Sequence, residues 1–415
     1  MSQDPPIPTD VLVIGGGIAG LWTLAALCRR GINALLLEHA ALGSGQTIWS
    51  QGIIHGGVKY ALTGAATDAA RAISKMPEVW RACLAGQGEV DLRGVTPLSE
   101  SQVLWTTPGV VSRFAAAVAS RAIRTPVRSL ALADRPAIFG LAPRGTDVYE
   151  VPEPVLGVAD VLAALRQAHH GQLLRIERVL SIDESSVRNA ARRVRVAASA
   201  PGGAAQEFHC RALVLTAGAG NEALAHLAGF PSPADLMQRR PLHMVMARGP
   251  LPTLYGHCLA ASTTPRLTIT TLAGRQEDER VWLIGGGLAE EGVGRDDAAQ
   301  RLAAAAELRS CLPWIDFSKV QLACGRIDRA EGRTADGARP DEPVIRTHGA
   351  VLAAWPTKLA LAPVLAERVI GELARLDITP EQSAAADPAP TSAPSPPPPV
   401  ATEPWREPRV VWNAM

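Results

Sequence analysis

The hydrophobic pattern of this chain opens with two unbroken apolar runs separated by a glycine-rich turn and one helical segment. Residues 11–14 form the first run, and Gly15, Gly17 and Gly20 follow it. Residues 21–30 carry helical spacing, Gly31 ends them, and a second apolar run at 34–37 stops at Glu38. Short unbroken runs of this kind suit strands covered on both faces. Further on, apolar positions three and four apart predict helices over 65–85, 112–124, 155–170, 296–312 and 359–376. Alternation predicts strands over 173–183, 192–199, 207–216, 241–248, 266–272 and 281–286, and a strand pair over 343–354. The three glycines at 285–287 read as a strand end, because Glu290 stands where a third motif glycine is needed.

The first sixty residues carry the strongest chemical signal. Strand, glycines, helix, strand and terminal acid fall in the register of a βαβ dinucleotide fingerprint. Gly15 permits a tight turn, Gly17 lets the backbone approach a pyrophosphate, and Gly20 lets helix and strand pack closely. The helix N-terminus offers N–H groups to phosphate. Glu38 accepts ribose hydroxyls and repels a 2′-phosphate, which fits FAD or NAD and excludes NADP.

The chain beyond Glu38 favours FAD. An NAD dehydrogenase continues with further βα units, whereas this chain enters a loop of small and hydroxyl residues. In it Ser44, Gln46, Thr47, Ser50 and Gly52 suit a backbone that wraps a second phosphate and a ribityl chain. Val179 joins the cofactor set. Ala217 and Gly218, at the end of an apolar run, let a strand pass close to the adenine side. Lys358 and Leu359 precede the last helix, whose N-terminus and lysine bring positive charge toward a flavin ring.

These residues resemble the FAD-dependent amine and hydroxy-acid oxidoreductases, the superfamily that includes D-amino-acid oxidase, sarcosine oxidase and glycerol-3-phosphate dehydrogenase. The stretch SQGIIHGGVKY is most similar to the flavin-dependent glycerol-3-phosphate dehydrogenases, and next to the L-2-hydroxyglutarate oxidases. The resemblance covers about residues 8–376. It implies an α/β fold with a Rossmann-type FAD-binding domain and a second, antiparallel-sheet substrate domain, in the two-domain manner of glutathione reductase. The FAD-binding parts are expected at 8–75, 151–235 and 320–376, and the substrate parts at 76–150 and 236–319.

The resemblance also implies site residues. His55 stands at the family's loop histidine, Lys59 at an arginine that contacts the substrate anion, and His243 in a strand beside the substrate. Arg326 resembles an anion-holding arginine, with Arg329 and Arg333 as alternatives. Lys358 matches a lysine near the flavin. Lys59 replaces a bidentate fork with a point charge, and Ala360 stands where a threonine is usual. Cys324 lies near a position that anchors flavin by a thioether in sarcosine oxidases, yet non-covalent FAD is the expectation.

Composition narrows the remaining classes. A net charge of +1 supplies no bulk field for nucleic acid. No apolar run is long enough to span a bilayer, and no basic amphipathic segment points to a membrane surface. Residues 1–10 lack the basic and apolar regions of a signal peptide. The 6 cysteines show no CxxC spacing, so no metal site is expected and the thiols read as reduced and cytoplasmic. Residues 377–415 turn to alanine, proline and serine, the composition of a disordered tail. Its terminal aromatic tag either frays or docks on the body or a partner. The expected activity is hydride transfer from a small anionic hydroxy substrate to flavin, with oxygen or a quinone as acceptor. Amine or amino-acid oxidation is the alternative, and a flavin-binding partner protein without turnover is a third reading.

Overall fold

The computed structural model describes residues 5–57, 72–108, 127–184, 194–260, 264–383 and 396–415. Lys59, the expected helix at 112–124 and part of that at 65–85 lie outside the described residues. The strands run β1 (Ile7–Pro8), β2 (Val11–Ile14), β3 (Ala34–Glu38), β4 (Gln102–Trp105), β5 (Arg128–Ser129) and β6 (Val148–Val151). They continue with β7 (Leu173–Arg175), β8 (Arg178–Glu184), β9 (Val194–Ser199), β10 (Ala205–Cys210) and β11 (Ala212–Leu215). The third group is β12 (Met237–Gly249), β13 (Tyr255–Cys258), β14 (Leu267–Ala273), β15 (Arg280–Gly285) and β16 (Gln321–Gly332). A hairpin, β17 (Val344–His348) and β18 (Val351–Trp355), and a terminal β19 (Asn413–Ala414) complete them.

Among the described residues the strands form three sheets. A 6-stranded sheet has the order β17-β18-β11-β2-β3-β7 and is parallel except for β17. Helix α1 (Ile18–Arg29) crosses from β2 to β3. It is buried from Ile18 to Leu27 because α3 (Val158–Ala168) and α7 (Ala362–Arg375) cover it from outside. That double cover explains the unbroken apolar runs of β2 and β3. Trp22 of α1 packs at 4.4 Å on Trp80 of α2 (Met76–Leu84). The opposite face of the sheet rests on a 4-stranded sheet, β1-β10-β9-β8.

The third sheet is a 9-stranded one, β19-β16-β12-β15-β14-β13-β4-β6-β5, antiparallel except where β13 meets β4. Its spine is the pairing of β12 with β16 from Met237↔Gly332 to Arg248↔Gln321. One face is covered by α6 (Asp297–Cys311), with Val245, Ala247, Ala304 and Leu308 in one cluster. Helix α4 (Asn221–Leu227) follows β11, and between β15 and α6 lies the short α5 (Gly287–Glu291), so the glycines at 285–287 do end a strand.

Two expected strands are divided between sheets. The run 173–183 splits into β7 and β8, and 207–216 into β10 and β11. The second break is set by Asp10, whose carbonyl accepts both the Arg211 N–H at 2.9 Å and the Ala212 N–H at 3.1 Å. There the chain leaves β9 and joins β2.

Residues 396–415 are ordered, which corrects the expectation of a disordered tail for them and takes the docked outcome left open for the terminal tag. Trp405 is buried, its indole N–H donating to the Ala273 carbonyl at 2.9 Å. β19 pairs with β16, which otherwise ends the sheet as a bare edge. Among the described residues no helix is long and apolar enough to cross a membrane.

Candidate functional site

Every motif glycine has a geometric reason. Gly15 has φ +112°, and a Cβ there would lie 2.6 Å from the Ala217 backbone. A Cβ on Gly20 would lie 2.0 Å from the Gly15 carbonyl oxygen, so helix and strand meet only through glycine. Gly17 is the N-cap of α1, and a Cβ there would meet only Thr47 Oγ1, at 3.2 Å. α1 has no side-chain cap at this residue and no acidic residue in its first turn. Its N-terminus is therefore set up for an anion. Glu38 is buried at the end of β3, where its carboxylate accepts the Gly16 N–H at 2.6 Å and the Ala40 N–H at 2.8 Å.

The loop after β3 is stitched between this turn and the large sheet. Gly43 N–H donates to the Gly16 carbonyl at 2.9 Å, and Ile18 N–H donates to Thr47 Oγ1 at 3.2 Å. Ser44 is exposed, and Ser50 Oγ lies 3.5 Å from the Gly52 amide. Gly52 has φ +68° and would clash with the Leu156 carbonyl if it carried a Cβ. Gln46 Oε1 accepts the Ala330 N–H of β16 at 2.8 Å. Trp49 covers Gly325, where a Cβ would meet the indole. Gln51 donates to the carbonyls of Thr268 at 2.7 Å and Leu283 at 2.9 Å.

Two further segments close on the same strand ends. Ala217 and Gly218 follow β11 against Gly15, and the Gly218 carbonyl accepts the Trp355 indole N–H at 3.1 Å. After β18 the chain passes Thr357, a buried non-glycine residue at φ +63°. Backbone strain of this kind is characteristic of functional sites. Lys358 and Leu359 come next, at the entry to a short 3-10 turn that leads into α7. Val179 stands apart from these segments, on β8, packed against the apolar layer between the two smaller sheets.

His55 sits at the junction of loop and large sheet, with its ring stacked at 5.4 Å on His257 of β13. Its Nδ1 lies 3.5 Å from Glu153. Glu153 is buried and accepts the Gly56 N–H at 2.5 Å and the Gln102 amide. His257 Nδ1 lies 2.7 Å from Thr268 Oγ1. Sequence reading missed both partners. Their signals were a carboxylate set between two prolines and a histidine inside an apolar strand.

The structure does not bring His243 and Arg326 together with His55. The two face each other across β12 and β16 and point to the α6 side. Met244 and Met246, on the other face, cluster with Trp49. His243 is fully buried, with Nδ1 3.0 Å from the Gly292 carbonyl and Nε2 3.1 Å from Asp297. Arg326 is exposed and donates to the carbonyls of Val293, at 2.8 Å, and Arg295. Cys324 shares that side, and burial pushes its thiol up to about 11.

Arg240 and Arg329, also opposite each other, fall on the Met244 and Gly325 side of the strands. Arg329 lies 3.6 Å from Glu290, Arg240 lies 3.4 Å from buried Glu331, and Arg339 lies 3.9 Å from Glu331. Burial, then the charges of Arg339 and Arg240, pull the Arg329 guanidinium below its ordinary value. Arg339 also donates to the Thr357 carbonyl at 3.2 Å. Arg333, the other alternative, is exposed and pairs with Asp235 at 2.6 Å.

The FAD dependent oxidoreductase (DAO) family matches residues 10–370, most of this chain. The chain belongs to that family. A probable FAD-dependent oxidoreductase of Pseudomonas aeruginosa is 43% identical over 401 residues, covering 96% of this chain and 98% of the relative. The crystal structure of that protein covers 97% of this chain and 99% of its own, with TM-score 0.79 and 39% identity. Glycine oxidase from Geobacillus kaustophilus shares the fold at TM-score 0.63 and 17% identity, over 89% of this chain and 95% of its own. L-α-glycerophosphate oxidase from Mycoplasma pneumoniae, solved with FAD bound, shares it at TM-score 0.59 and 14% identity, over 89% and 94%. The protein is therefore an FAD-dependent oxidoreductase with the α/β fold of its family, and FAD is its cofactor. The residues present fit that cofactor: a helix N-terminus with no acidic residue in its first turn, a turn that only glycine can make, and a buried carboxylate at the end of β3.

Proposed function

We propose that this oxidoreductase dehydrogenates a small anionic hydroxy substrate, such as a polyol phosphate or a 2-hydroxy acid. The observation that carries the reading is the group of Arg240, Arg329 and Arg339 on the Trp49 side of the large sheet. In it three guanidinium groups face two carboxylates, Glu290 and Glu331. The excess positive charge, partly desolvated at Arg329, suits an incoming anion.

Bound FAD would supply the hydride acceptor for the reaction. The chain's own residues supply the rest. The α1 N-terminus, Gly15, Gly17, Thr47 and Glu38 hold the nucleotide part non-covalently, and Ala217–Gly218 and the loop around Ser44, Gln46 and Ser50 enclose it. Arg329 and its neighbours hold the substrate anion and orient the reacting carbon. Lys59 stays in the reading as a second anion partner. His55, seated against Glu153 and His257, takes the hydroxyl proton, and the carbinol becomes a carbonyl. Lys358 brings positive charge to the flavin end of the site.

A second reading is supported by one observation. His243, the other candidate base, is fully buried against Gly292 and Asp297. Oxidation of a neutral amine or amino acid needs no histidine base, so the loss of one candidate favours that chemistry. Anaerobic titration of the yellow protein separates the readings by flavin bleaching. Bleaching by glycerol 3-phosphate, L-2-hydroxyglutarate or another hydroxy anion supports the first. Bleaching by amines or amino acids alone overturns it in favour of the second. No bleaching by any metabolite favours a flavin-binding partner without turnover.

A further inference from the structure

We infer that residues 396–415 form a strap that holds the loop 41–44 on the glycine turn and thereby sets how slowly the enzyme releases FAD. The segment Pro396–Pro399 is four successive prolines. Such a run is extended and stiff, and it offers carbonyl oxygens but no N–H donors. The body meets it with donors. Arg166 donates to the Pro398 carbonyl at 2.7 Å and to the Pro397 carbonyl at 3.3 Å. The Leu42 N–H donates to the Pro399 carbonyl at 2.7 Å. Ala401, the second residue past the prolines, returns its own N–H to the Leu42 carbonyl at 2.9 Å. Both backbone groups of Leu42 are thus bonded by the tail.

Leu42 is the residue through which this contact reaches the cofactor site. It is fully buried, and its Cδ2 lies 2.5 Å from where a Cβ on Gly16 would stand. Its neighbour Gly43 donates to the Gly16 carbonyl at 2.9 Å, while the Gly16 N–H is held by Glu38 at 2.6 Å. A displaced Leu42 therefore loosens both the pyrophosphate turn and the carboxylate beside it.

The other end of the strap is anchored on the large sheet. Trp405 is buried and bonded to Ala273, and Arg275 donates to the Arg406 carbonyl at 2.8 Å. The Arg248 guanidinium lies 4.5 Å from the centre of the Trp412 ring. β19 pairs with β16, and the Met415 N–H donates to the Val320 carbonyl at 3.0 Å. Because the segment is fixed at both ends, the loop cannot lift without breaking one of them. The strap acts by positioning and touches no reacting atom.

The test is the rate of FAD release, read as the rise in free flavin fluorescence after dilution of the holoenzyme. Ala401→Pro removes the N–H that bonds Leu42 and sets a ring carbon in its place, and Ala401→Gly keeps the N–H. Ala401→Pro is expected to release FAD about fivefold faster, the effect of one backbone hydrogen bond, with Ala401→Gly within about twofold of the parent. A chain ending at residue 395 is expected to release FAD faster still, and a synthetic peptide of residues 396–415 is expected to slow it again. Should the shortened chain fail to fold, the two Ala401 variants carry the test. Parental release from Ala401→Pro, or equal loss in Ala401→Gly, overturns the proposal. None of these outcomes depends on which substrate the enzyme accepts.

Discussion

Arg339 donates to the Thr357 carbonyl at 3.2 Å, and that bond joins the arginine group of the large sheet to the strained turn that presents Lys358. Two sources of positive charge are thereby fixed relative to each other. One comes from β12, β16 and the segment after β16, the other from the entry to α7. In the proposed reading, an anion held by the first would be kept in register with the second.

In the proposed reading the anion role falls to Arg329 rather than Arg326. Arg329→Met is expected to raise KM for the accepted anionic substrate by about tenfold or more, since a charged hydrogen bond is worth about 1.5–3 kcal/mol. Flavin content should stay unchanged. Arg326→Met is expected to move kcat/KM by less than about twofold, because Arg326 serves the carbonyls of Val293 and Arg295. Steady-state kinetics of the two variants decide the matter, and the reverse ranking sinks the assignment.

The same strand geometry buries His243, and in the proposed reading it serves the fold. Its ring joins β12 to the Gly292 turn and to Asp297 at the start of α6. His243→Leu removes both bonds and leaves the Gly292 carbonyl unpaired, a cost of about 1–3 kcal/mol. A drop of several degrees in Tm is expected, with parental kcat per bound flavin. A large fall in kcat without a change in Tm would instead make His243 a base.

How much of this was readable in the sequence depends on where each signal lies. The β2-α1-β3 unit was legible because its period, its glycines and its closing acid are contiguous in the chain. The face occupied by His243 was not. Residues 242–247 read LHMVMA, and a strand covered on both sides loses the alternation that marks which side is which. The partners of His55 come from β13 and from the segment after β6, so only the fold brings them together. The tail was misread for a different reason. Composition says that Pro396–Pro399 cannot build a core, but not that Arg166 and Leu42 present donors matching its carbonyls.

Glycine substitutions separate packing from flexibility. Gly20→Ala places a methyl group 2.0 Å from the Gly15 carbonyl oxygen, so helix or turn must move. Overpacking of this kind costs about 1–3 kcal/mol. Because the displaced group is the cofactor turn itself, FAD affinity is expected to fall by more than about tenfold. Gly45→Ala is the matched control, since a Cβ there meets none of the described residues within 4 Å and no positive φ is required. Fluorescence titration of each apoprotein with FAD gives the comparison. Equal affinities would mean that the turn tolerates a side chain and that Gly20 is not needed for contact.

Cys324 supplies the last prediction. It sits on the α6 side of β16 with its sulfur 3.7 Å from the Asp297 carbonyl, whereas Trp49 and the cofactor loop cover the other side. Burial, with the Asp297 charge second, raises its thiol to about 11. At pH 8 only about one molecule in a thousand then carries the thiolate needed for attack on a ring carbon or on an alkylating reagent. Acid precipitation of the holoenzyme is therefore expected to leave all flavin in the supernatant, and Cys324→Ser is expected to keep parental FAD content. Iodoacetamide at pH 8 should label Cys324 slowly relative to an unfolded control, as read by peptide mass. Flavin that stays with the pellet in the parent and leaves it in Cys324→Ser would show a thioether and would require the sulfur to face the cofactor.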